Sequence, residues 1–258
     1  MHPSNPKTTI LIVPGAWPPA WSPFLTTLLA ARYPSSSHTV SLPTNGGTSL
    51  PLATLADDIA AIQASLHTLI HDEGHDVILL CHSSGGVSGS NAVEGRAAGK
   101  KGGVARVVFF SGFVLKAGES LMGMFGGKPL PWMVVEVSTS PASVDMECLQ
   151  GDRVLGDAEM LPQVGFNDLP VDEQAKWVKE MTHTSTALFV APSGYELWAN
   201  GVPCSYLFCT EDNALPLAYQ QGMAQQLGPE NRTANLKSGH CPFLSVPDQL
   251  LKAFEDVI

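Results

Sequence analysis

Two rhythms of apolar and polar positions alternate along the chain. Short apolar runs of strand length, such as Thr8 to Val13, Asp76 to Cys81 and Arg106 to Phe110, are separated by stretches with a helical period. The clearest of these carries Leu52, Leu55, Ile59, Ile62, Leu66, Leu69 and Ile70 on one face, which predicts a long amphipathic helix over roughly Leu50 to His71. The same reading predicts a helix over Trp21 to Arg32, with Phe24, Leu25, Leu28 and Leu29 on one face, and a strand over His38 to Leu42, closed by Pro43. A helix from Ser84 to about Ala98 follows the third strand. Later come a strand over Cys204 to Cys209, a helix from about Leu215 to Leu227, a strand over Thr233 to Leu236 and a terminal helix over Pro247 to Val257. Strands joined through helices of about ten residues or more imply a parallel sheet covered on both faces.

From about Val114 to Gly201 this rhythm breaks. The stretch is rich in Met and aromatic residues, among them Met122, Met124, Phe125, Trp132, Met133, Phe166, Met181 and Phe189, interrupted by Gly and Pro. It reads as a largely helical cap, 114–201, over the carboxyl ends of the strands, inserted between core segments 1–113 and 202–258. The alternative is a second half of the core. No internal repeat or low-complexity tract is present.

Composition narrows the function classes. The 258 residues suit one large domain or a core with an inserted subdomain. A formal net charge of −10, with Lys100-Lys101 the one adjacent basic pair, argues against nucleic acid or an anionic membrane surface as partner. The N-terminal residues lack a signal-peptide core, and no stretch approaches the roughly 20 apolar residues of a membrane span. The 5 cysteines, at 81, 148, 204, 209 and 241, form no Cys-x-x-Cys pair. Reduced thiols in a cytoplasmic protein are therefore expected, without a metal. His67, His71 and His75 are spaced by four, but on a solvated face and past a glycine.

The chemistry begins at Cys81-His82-Ser83-Ser84-Gly85, where an apolar strand runs into small residues. A sharp strand-to-helix turn of this kind lifts a serine hydroxyl clear of the sheet. Ser83 is the expected nucleophile, and a serine needs a base steadied by a carboxylate. His240 lies in the loop Lys237-Ser238-Gly239-His240-Cys241-Pro242, between the last strand and the last helix, and is the expected base. His183 is its rival. Asp212, just past the strand ending at Cys209, is the expected acid, with the adjacent Glu211 left open by spacing. The strand ending at Phe110 has no acid until Glu119, which removes the common alternative position. Two backbone N–H groups should hold the oxyanion: that of Ser84, and one from the turn Pro14-Gly15-Ala16-Trp17, with Ala16 preferred.

At these residues the chain resembles the plant methylesterase and hydroxynitrile lyase family of α/β-hydrolases. Val13-Pro14-Gly15-Ala16-Trp17 resembles the family's opening, Cys81-His82-Ser83-Ser84-Gly85-Gly86 its serine turn, and Cys209-Thr210-Glu211-Asp212-Asn213-Ala214-Leu215-Pro216 its acid segment. Gly239-His240 completes the set. The resemblance implies an α/β-hydrolase fold, with a mostly parallel doubly wound sheet and an inserted helical cap. It assigns Ser83, Asp212 and His240 to the triad and Ala16 and Ser84 to the oxyanion hole. Pro14, Pro18 and Cys81 depart from the family pattern, as does the insert Gly95 to Gly103. The family's lyases resemble one another in a Glu before the nucleophile and a Lys after the catalytic histidine. Here those positions hold His82 and Cys241.

Together these readings predict a serine hydrolase that cleaves an ester or lactone of a small, largely apolar molecule, without a cofactor. Trp17, His82, Met122, Phe125 and Trp132 are the expected substrate contacts. The alternatives are a non-hydrolytic lyase or ring-forming enzyme of the same fold, or a slow-turnover ligand receptor. A homodimer stays open.

Overall fold

The computed structural model describes residues 8–17, 24, 33, 36–98, 102–136 and 152–258. The predicted helix over Trp21 to Arg32 lies outside them except for Phe24, which is helical and fully buried. Pro18, Lys100-Lys101 and Cys148 lie outside them as well.

Strands β1 (Thr8–Val13), β2 (His38–Thr39), β3 (Asp76–His82) and β4 (Gly103–Phe110) are followed by three short ones, β5 (Met133–Glu136), β6 (Arg153–Gly156) and β7 (Thr184–Ser185). The chain then forms β8 (Cys204–Cys209) and β9 (Arg232–Leu236). Six of them make one parallel sheet in the order β2-β1-β3-β4-β8-β9. Register aligns Val13 with Cys81, His82 with Phe110, and Cys209 with Leu236. The turns after β1, β3, β8 and β9 therefore emerge at one edge, where parallel sheets gather their chemistry.

Both faces of the sheet are buried. Leu11, Val13, Leu79 and Phe109 point into one apolar cluster, while Ile10, Ile12, Leu80 and Phe110 point into the other. That alternation is the signature of a sheet covered on two sides, and it explains why its strands read as continuous apolar runs. Helices α1 (Leu55–His67) and α2 (Gly85–Ala92) supply Leu55, Ile62, Leu66 and Val87 to the first cluster.

The predicted long helix begins later than its apolar stripe, because the Asp57 carboxylate accepts both the Thr54 N–H and the Thr54 hydroxyl at 2.8 Å. This fixes the first turn at Thr54. Past α1 the chain continues as one wide π turn, Thr68–Asp72. The predicted strand over His38 to Leu42 pairs only at His38–Thr39, after which the chain bends into a turn held by Asp58. The helix predicted to reach about Ala98 stops at Ala92, and Ala97 bridges Val104 instead.

Segment 114–201 holds a feature the sequence reading did not foresee. Besides the short helices α3 (Leu121–Met124), α4 (Leu161–Val164), α5 (Val171–Glu180) and α6 (Thr186–Val190), it contains β5, β6 and β7 as an antiparallel sheet. Among its described residues the segment is therefore mixed, with a small sheet beside the expected helices. It connects β4 to β8, which are neighbours in the parallel sheet, so it is an excursion from the carboxyl edge. Helices α7 (Leu217–Ala224), α8 (Pro242–Ser245) and α9 (Pro247–Val257) complete the fold, with Leu250, Phe254 and Val257 of α9 in the second cluster. Among the described residues no helix is long and apolar enough to cross a membrane.

Candidate active site

Ser83 sits between β3 and α2 with φ of 52°, a left-handed conformation that costs a non-glycine residue about 1–3 kcal/mol. The strain turns its side chain out of the strand. The turn after β1 packs directly against it: a Cβ at Gly15 would fall 2.6 Å from the Ser83 Cβ. Cys81, where the family pattern has glycine, has a matching vacancy opposite. A Cβ at Gly89, in α2, would meet the Cys81 Sγ at 2.5 Å. Burial pushes the Cys81 thiol well above its ordinary range, so it is a neutral packing group.

The loops after β8 and β9 bring Asp212 and His240 together. Asp212 Oδ2 accepts a hydrogen bond from His240 Nδ1 at 2.8 Å. Its Oδ1 accepts the N–H groups of Ala214 and Leu215 at 2.8 and 2.9 Å, so the expected acid also organises its own turn. Gln220 braces the strand end, donating to Cys209 O and accepting the Cys209 N–H, each at 3.0 Å. With Nδ1–H given to a carboxylate, His240 Nε2 is left as the basic atom. The two rivals are placed elsewhere. Glu211 reaches outward towards Lys237, and His183 Nε2 bonds Gly47 O at 2.8 Å. Ser83 and His240 line one cavity, with no hydrogen bond between their side chains among the described residues.

His82 lies beneath this pair. Its Nε2 donates to the His240 carbonyl at 2.9 Å, and its ring packs against Phe110 and His240 at centroid separations of 4.9 and 4.7 Å. Burial, and then the neighbouring His240, hold its imidazole well below the ordinary value. A neutral His82 thus fixes the main chain of His240 besides lining the cavity.

The Ala16 N–H is not free: it donates to Ser84 Oγ at 2.7 Å. The next residue, Trp17, is tied to the small sheet, its N–H to Thr184 Oγ1 at 3.1 Å and its indole N–H to Val154 O at 2.7 Å. Asn45 joins the same network, donating to Gly15 O and accepting from Thr184 Oγ1.

The cavity measures about 50 Å³, and a second of about 260 Å³ abuts it, sharing Phe113, Phe125, Trp132, Ala214 and Leu215. Trp17, His82, Phe125 and Trp132 line the first as expected; Met122 does not. Ser120 Oγ accepts the Gly123 N–H and so starts α3 at Leu121. Leu121 and Phe125, four residues apart, then share the cavity face, while Met122 turns into the core. Sequence reasoning missed Leu121, Phe113 and Leu161 as lining residues, because apolar character alone does not say which side of a short helix faces a void.

Residues 10–253 match the Alpha/beta hydrolase family. The chain belongs to the α/β-hydrolase family. Two curated relatives extend over most of its length. Probable hydrolase R7 of Phoma sp. is 29% identical over 251 residues, covering 95% of each chain. Alpha/beta hydrolase nvfD of Aspergillus novofumigatus is 26% identical over 253 residues, covering 95% of this chain and 94% of that one. Among solved structures, polyneuridine aldehyde esterase superposes with a TM-score of 0.75 at 20% identity, covering 97% and 98% of the two chains. As an α/β-hydrolase, the protein is a hydrolase, and an esterase is among the solved structures that share its fold.

Proposed function

We propose that this α/β-hydrolase cleaves a carboxylic ester or lactone of a small, largely apolar molecule through an acyl-enzyme on Ser83. The observation that carries the reading is the 2.8 Å bond from His240 Nδ1 to the buried Asp212 Oδ2, with His240 lining the same cavity as Ser83. Ser83 Oγ attacks the carbonyl carbon while His240 Nε2 takes its proton, and the carbonyl π pair moves onto oxygen. That negative oxygen is held at Ser84, whose Oγ the Ala16 N–H orients. Collapse expels the alcohol oxygen, which leaves with the proton from His240. Water then attacks the acyl group by the same route and restores Ser83.

An apolar substrate agrees with the lining, in which Phe113, Phe125, Trp132, Phe166 and Phe189 surround the polar centre. An apolar cavity of about 150 Å³ accepts benzene. By that measure the larger compartment takes a ring-sized group and the serine compartment only a small one. Segment 114–201 serves as the cap that supplies most of these walls. The lyase alternative lacks a charge partner: no Lys or Arg lines the cavity among the described residues, and Cys241 is a buried thiol that burial keeps neutral.

A fluorophosphonate probe tests the reading. A covalent adduct on Ser83, absent from a folded Ser83→Ala variant, is expected. Ser83→Ala should also lose about three orders of magnitude or more in turnover of a p-nitrophenyl ester. A wild-type protein that takes no label and cleaves no ester or lactone would instead favour the receptor alternative.

A further inference from the structure

Ser84 carries a buried hydroxyl whose proton meets no acceptor among the described residues. The residue is 3% exposed and lines the cavity beside Ser83 and His240. Its Oγ accepts the Ala16 N–H at 2.7 Å, and among the described residues this is the one hydrogen bond its side chain makes. The oxygen is thereby oriented, while the O–H remains a donor without an acceptor. A buried donor left in that state is costly unless an arriving group meets it.

We propose that the Ser84 side-chain hydroxyl is a catalytic donor to the oxyanion, an addition that rests on the acyl-enzyme reading above. As the Ser83 Oγ–C bond forms and the carbonyl π pair moves to oxygen, the Ser84 O–H donates to that oxygen alongside the Ser84 N–H. The Ala16 N–H stays bonded to Ser84 Oγ and acts through it, so Ala16 is a positioning residue. Consecutive hydrogen bonds polarise one another, which strengthens the O–H as a donor when the oxygen it faces becomes negative. Because the charge grows only in the transition state, the gain appears in kcat more than in KM.

The test compares the wild type with Ser84→Ala and Ser84→Thr, each checked for folding by thermal melting and for Ser83 labelling by a fluorophosphonate. Kinetics are then measured on p-nitrophenyl acetate. Ser84→Ala is expected to lose about a hundredfold in kcat with KM within a few-fold. Ser84→Thr, which keeps a hydroxyl, is expected to recover most of the loss. Should Ser84→Ala match or exceed the wild type in kcat while still labelling at Ser83, the hydroxyl is dispensable or obstructive, and the proposal falls with the acyl-enzyme intact. Absence of labelling in the wild type overturns both.

Discussion

Asp168 Oδ2 accepts the Gly239 N–H at 2.7 Å, one residue before His240. The preceding residue, Asn167, donates its side-chain amide to Glu211 O at 2.9 Å, one residue before Asp212. Two consecutive residues of the β4–β8 excursion thus hold both loops of the Asp212–His240 pair. Asp168→Ala should lower kcat by about tenfold at nearly constant KM, the response of a displaced base. Asp168→Asn keeps an acceptor for Gly239 and should retain most activity. Steady-state kinetics on the two variants check this, and equal losses in both would contradict it.

Cys81 and Gly89 share one space, so their substitutions should not add. Gly89→Ala alone forces a contact on the Cys81 sulfur and should cost about 1–3 kcal/mol. Adding Cys81→Ala removes the sulfur, and the alanine introduced in α2 then contributes its better helix propensity. Urea denaturation of both single variants and the double variant should yield a coupling of about 1 kcal/mol or more.

Asp58 is fully buried, with Thr44 donating from its N–H at 3.0 Å and its hydroxyl at 2.8 Å. Burial pushes its carboxyl from 3.8 up to about 6, against those two hydrogen bonds. Between these values the native state holds a proton that the unfolded chain has released. Its stabilising contribution is complete below about pH 4 and is lost as pH rises through about 6. The displacement corresponds to roughly 3 kcal/mol. Asp58→Asn should flatten that slope and be more stable than the wild type above pH 7, as measured by denaturation at pH 5 and pH 7.5.

Phe125 stands in the shared wall of the two cavities. Phe125→Ala should join them and raise kcat/KM for a naphthyl ester relative to a methyl ester by about tenfold. A ratio unchanged from the wild type would mean that the larger compartment takes no part in binding.

The parallel sheet was legible because its strands are buried on both faces and its helices keep a strict period. Ser83, Asp212 and His240 were legible because each follows a strand end, and the register brings those ends to one edge. Segment 114–201 was not, since β5 and β6 have four residues each and β7 has two, too few for a period to emerge. Asp168 and Asp58 were equally hidden. A carboxylate that accepts a backbone N–H from a distant loop looks, in sequence, like any surface acid. Ser84 was anticipated for its backbone alone, as side-chain direction at a strained turn does not follow from residue type.

Trp17 is fastened to β6 and β7 through its indole and its own amide, so the turn bearing Ala16 hangs from the small antiparallel sheet. The small sheet and the turn beside Ser83 therefore form one mechanical unit, and a substitution that removes either tie reaches the hydroxyl of Ser84 through the Ala16 amide.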